Sequence, residues 1–110
     1  MTTAKYSVSI ETVDVATSVP GSDAIHYGDF ESGMVHIPTG SSLTSLTWYV
    51  SSSENGTYLP ARNTIEMGSG PTSHVVSDGN AYPIPNNLRG ARFLKIVGDA
   101  AGVVGVTLKD

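Results

Sequence analysis

The chain has 110 residues, 15% of them charged, a net charge of −4 and no cysteine. That length fits one domain able to hide about two thirds of its unfolded surface, and the missing cysteines exclude a disulfide framework, a thiolate zinc site and a thiol nucleophile. Six Lys and Arg scattered through an acidic chain argue against nucleic acid or anionic lipid as partner, and with no signal-peptide core and no run of about 18 apolar residues, a soluble protein made in the cytoplasm without membrane contact is expected.

From the N-terminus, residues 5–18 alternate at Tyr6, Val8 and Ile10 and resume one position out of phase at Val13 and Val15. Either a bulge absorbs the slip, or residues 1–11 form an extended arm ahead of a strand at 12–17. Val19 to Asp23 reads as a Pro-Gly turn, 24–27 as a short strand, and the loop Gly28 to Gly33 leads into a strand over 34–37 that Pro38 ends. Residues 43–52, LTSLTWYVSS, give the clearest strand signal and hold the only tryptophan. Leu46, Trp48 and Val50 share one face of it, and Ser45, Thr47, Tyr49 and Ser51 share the other. Asn55-Gly56 predicts a tight hairpin, because both residues accept positive φ. Residues 57–62 then return along the Trp48 strand, with Tyr58 inward and Pro60 marking a sheet edge. Beyond the Gly-Ser-rich stretch 63–72, strands are expected at 73–77 and 81–84. A single helical turn at 85–90, stopped by Gly90, precedes closing strands at 91–97 and 103–109, whose apolar set is Leu94, Ile96, Val104, Val106 and Leu108.

Roughly eight or nine short strands separated by turn signals, with no helical periodicity, predict a single all-β domain over 1–110. The expected architecture is an antiparallel two-sheet β-sandwich of jelly-roll type, with an immunoglobulin-like sandwich as the alternative. No catalytic constellation stands out. No Ser lies in a G-x-S-x-G context, Gly68-Ser69-Gly70 lacks the third glycine of a dinucleotide fingerprint, and Glu11 and Asp14 fall on opposite faces of one strand. The spacing of His26, Asp29, Glu31 and His36 matches no metal motif. The expectation is therefore a protein that is not an enzyme and uses no cofactor or metal. The informative residues are large ones that alternation leaves outward: Tyr49, Phe93, Tyr27 and Phe30, which suit an interface or a sugar-stacking platform. Arg89, Arg92 and Lys95 add a local basic cluster able to meet an acidic partner surface.

Three stretches together carry a resemblance: LTWYVSSSENGTY from Leu46 to Tyr58, IPNNLRGARFLKI from Ile84 to Ile96, and VVGVTL from Val103 to Leu108. This succession resembles a recurrent pattern in small virion proteins of tailed bacteriophages: an aromatic-bearing strand, a Gly hairpin, a variable loop, a Pro-to-Lys segment and a closing apolar hairpin. The resemblance implies a structural protein of the capsid surface, a cement or decoration protein that binds the major capsid protein as a homotrimer, with no catalytic residues. Trimer contacts are expected on the faces carrying Tyr49 and Phe93, and shell contacts through the N-terminal arm or the loops. The rival expectation is a carbohydrate- or receptor-binding module of a phage tail or head fibre, since that too would be a small sandwich with exposed aromatics.

Overall fold

Apolar residues recurring at every second position can all be buried only if each strand turns one face toward a facing sheet, and two such sheets result. The computed structural model describes residues 8–28, 30, 32–62, 72–85, 88 and 90–109, with the backbone alone over 8–11. The described strands are β1 (Val8–Val15), β2 (Ile25–His26), β3 (Ser32–His36), β4 (Ser45–Ser51), β5 (Leu59–Pro60), β6 (Ser73–Val75), β7 (Ala81–Pro83), β8 (Phe93–Gly98) and β9 (Gly102–Lys109). One sheet has the order β1-β9-β3-β7, and the other runs β2-β8-β4, with β5 and β6 sharing the far edge of β4. All pairings between these strands are antiparallel. The fold is a two-sheet antiparallel β-sandwich.

Its winding is nested. β1 pairs with β9, β2 with β8, β3 with β7, and β4 with β6 and β5, so the chain is one long antiparallel ribbon folded over on itself. Two further pairings, β3 with β9 and β4 with β8, merge the folded ribbon into sheets. The core between them is largely aliphatic around one indole: Ile25, Val35, Leu46, Trp48, Leu94 and Ile96 are fully buried, as are Val104, Val106 and Leu108 on β9.

Polar side chains fasten the corners. Where the chain leaves β1, Ala16 bridges Val97 of the other sheet. Ser22 Oγ, buried just after the 3-10 turn Val19–Gly21, donates to Ile96 O at 2.7 Å. Where the chain enters β4, Asp99 Oδ1 accepts the N–H groups of Thr44 and Ser45 at 2.9 and 3.2 Å, and Asp99 Oδ2 accepts the Thr44 hydroxyl. These bonds hold the Asp99 carboxyl below its ordinary pKa, the Thr44 hydroxyl contributing most.

Three local expectations change. The register of β1 on β9 runs without a break from Val8 opposite Lys109 to Val15 opposite Gly102, so no bulge absorbs the apolar phase slip, and residues 8–11 belong to the strand instead of an arm. Residues 1–7 lie outside the described residues. Gly56 does not adopt positive φ, which among the described glycines occurs at Gly40, Gly79 and Gly90. What a side chain at position 56 would meet instead is the Ser53 hydroxyl, with Ser51 Oγ at 3.0 Å, so glycine answers a crowding requirement in a wider loop. Tyr58 turns outward, beneath Lys95.

Candidate interaction surface

Because Leu94 and Ile96 point into the core, Phe93, Lys95 and Val97 stand on the outer face of β8. Register brings neighbours to the same face: Tyr49 lies opposite Lys95, Ser51 opposite Phe93, and His26 of β2 opposite Phe93 on the other side. The His26 and Phe93 rings stack, with centroids 4.9 Å apart and planes 23° from parallel. Lys95 Nζ sits 4.7 Å from the centre of the Tyr58 ring, within the range of a cation–π contact, and 3.5 Å from Val19 O. The Tyr58 hydroxyl donates to Glu54 O at 2.9 Å. Partial burial, and then the Glu54 charge, push its pKa up.

The result is a partly buried aromatic platform in which His26 is stacked on Phe93 and Tyr58 lies beneath Lys95 before any partner arrives. Tyr49, Phe93 and Lys95, expected at an interface, share it; His26 and Tyr58 complete it. His26 was legible from alternation, being flanked by Ile25 and Tyr27, but Tyr58 was hidden by the hairpin reading of Asn55-Gly56.

The other expected residues lie elsewhere. Tyr27 is 2% exposed and belongs to the core. Once His26 faces out, alternation turns Tyr27 in, and its N–H donates to Arg92 O at 2.9 Å. Phe30 is half-buried against the core, its N–H bonded to Tyr27 O at 3.0 Å in a tight turn. Arg92 is exposed and lines a different feature from Lys95, so these two do not gather on one face. Arg89 lies outside the described residues.

Arg92 belongs to an open groove of about 760 Å³ at the rim of the sandwich, lined also by Val50, Leu59, Ala61, Leu88 and Ala91. It forms where a cross-strand row runs out of the core: Leu94 is fully buried, Val50 half-buried and Leu59 62% exposed.

The histidines do not converge. His26 lies on the outer face of the β2-β8-β4 sheet, while His36 lies on the outer face of the opposite sheet, its Nε2 3.1 Å from Thr107 Oγ1. Asp29 and Glu31 lie outside the described residues, and among those described no three metal-ligating side chains come together. Asp14 acts through its backbone, exchanging bonds with Asp23: its N–H donates to Asp23 Oδ2 and its carbonyl accepts the Asp23 N–H, each at 3.0 Å.

Fold and surface together define a β-sandwich that presents an ordered aromatic face. Neither a protein-family model nor a curated protein matches the chain. Among solved structures it is similar to the crystal structure of SPBc2 prophage-derived protein YomS, with a TM-score of 0.58 over 100% of this chain and 99% of that one, at 15% sequence identity. A likeness at that identity is one of fold.

Proposed function

We propose that this chain is a structural protein of a phage virion, a cement or decoration protein that stabilises the capsid by bridging subunits of the major capsid protein. The observation that carries this reading is the fold shared with a prophage-derived protein from end to end of both chains. The phage-like succession of Leu46 to Tyr58, Ile84 to Ile96 and Val103 to Leu108 supports it. Its mechanism is linkage: a rigid sandwich that binds the assembled shell and not its dissociated subunits shifts the equilibrium toward assembly.

In this reading the face carrying Tyr49 and Phe93 forms the contact between three copies. Aromatic residues are enriched at such contacts, and side chains already held in place lose less entropy on association. Phage particles purified to homogeneity should contain the protein at a fixed copy ratio to the major shell protein. Its absence from such particles overturns the proposal. A single-chain mass by light scattering at high micromolar concentration overturns the trimer alone.

A carbohydrate- or receptor-binding module of a tail or head fibre is the second reading, favoured by the aromatic platform itself. Two of its rings are already covered, Phe93 by His26 and Tyr58 by Lys95, which leaves Tyr49 as the ring for a sugar to stack on. Glycan-array binding that disappears in Tyr49→Ala would establish this second reading in place of the first.

A further inference from the structure

His74, which plays no part in the aromatic platform, occupies the edge strand β6 with Leu46 as its register partner. The Trp48 indole donates Nε1–H to His74 Nε2 at 3.0 Å, and the two ring planes lie within 4° of parallel. Tyr82 of β7, in the facing sheet, meets the imidazole edge-on at 6.0 Å. An indole nitrogen only donates, so the geometry requires Nε2 to be bare and the proton of the neutral ring to sit on Nδ1. Trp48 is 0% exposed, so water cannot take over as acceptor.

Protonation of His74 places an N–H on Nε2, donor against donor. Rotating the ring gives no escape, because both nitrogens of an imidazolium carry hydrogen. The strand that bears His74 is short: three residues pair with β4, flanked by Trp48 N–H to Thr72 O at 3.0 Å and Val76 N–H to Thr44 O at 2.9 Å. Short edge strands are drawn from the low-stability end of a fold.

We propose that His74 is an acid-sensitive latch whose protonation breaks the bond to Trp48 and releases β6 from the edge of β4 over Ser45 to Thr47.

Among the described residues, none that faces His74 carries a charge. β4 presents Leu46 and Trp48, which do not titrate, and β7 presents the Tyr82 hydroxyl, which accepts the Ser77 N–H at 2.8 Å. Burial alone holds the His74 pKa below the ordinary imidazole range. The sign follows: the neutral form is favoured in the folded state, so stabilisation by β6 is complete at neutral pH and fades as pH falls below the unfolded value of about 6.5.

The test is hydrogen exchange and indole NMR of the intact chain between pH 8 and pH 4.5, with exchange rates corrected for intrinsic pH dependence. The Trp48 indole proton should shift in step with the His74 titration. The Trp48 and Val76 amides should exchange at least tenfold faster on the acid side, while the Leu94 and Val106 amides stay protected. His74→Gln, whose amide oxygen can still accept from the indole, should lose the step, and His26→Gln with His36→Gln should keep it. Should His74→Gln fail to fold, the wild-type measurement decides alone. An indole proton insensitive to the His74 titration, or acceleration shared equally by Leu94 and Val106, overturns the latch.

Discussion

Trp48 and Tyr49 are adjacent in sequence and opposite in consequence. The indole is fully buried among aliphatic side chains, with its N–H satisfied by His74, whereas the tyrosine stands half-exposed opposite Lys95. Truncating a buried aromatic costs about 3 to 5 kcal/mol, a large share of the roughly 5 to 15 kcal/mol of a whole domain. Trp48→Ala should therefore sharply lower the urea midpoint followed by circular dichroism, and Tyr49→Ala should leave it near wild type. Gly33 marks the opposite constraint. A Cβ there would stand 2.8 Å from Ile84 Cδ1, Leu108 Cδ2 and Thr107 O. Gly33→Ala should cost about 1 to 3 kcal/mol by overpacking, read as a fall in urea midpoint without change in slope. Asp99 carries an acid-side dependence. Its pKa is lowered in the fold, so its stabilisation is complete above the unfolded carboxyl value of about 4 and is lost as pH falls through the folded value. Asp99→Asn should flatten the melting-temperature curve in that window and leave its slope near neutrality unchanged.

Among the elements, those legible in the sequence are the ones whose alternation is set by large aliphatic residues. β4, β8 and β9 carry Leu46, Trp48, Leu94, Ile96, Val104, Val106 and Leu108 on one face, and the structure buries all seven. β1 was misread because Val8 and Ile10 look like the start of a core face. In the continuous register these positions fall opposite Lys109 and Thr107, while Val13 faces the buried Val104. β6 was recognised as a strand, but not as sharing one edge of β4 with β5, since that choice depends on contacts between residues far apart in sequence. The aromatic platform was half legible for the same reason. Alternation identifies Tyr49, Phe93 and Lys95 as outward, but only the assembled sheet brings His26 onto Phe93 and Tyr58 beneath Lys95.

At the scale of the whole molecule, the two outer faces are unlike. One carries the ordered aromatic platform, and the other carries Met34 and Val103, partly exposed, beside the His36–Thr107 contact. That asymmetry suits the proposed role, in which one side would join copies of the protein and the other a shell. The nested ribbon has a further consequence, for the order in which the chain can be written. Its outermost pair sets Val8 beside Lys109, so a short link between these two positions would close the ribbon into a ring. Linking Lys109 directly to Val8 and opening the loop 52–57 should yield a circular permutant with the same sandwich, because residues 52–57 are exposed. The join makes the β1–β9 pairing local, and lower contact order speeds folding. The permutant should refold faster than the original chain in stopped-flow fluorescence of Trp48. A permutant that loses cooperative unfolding would show that the position of the break, and not only the circle of strand pairings, specifies this fold.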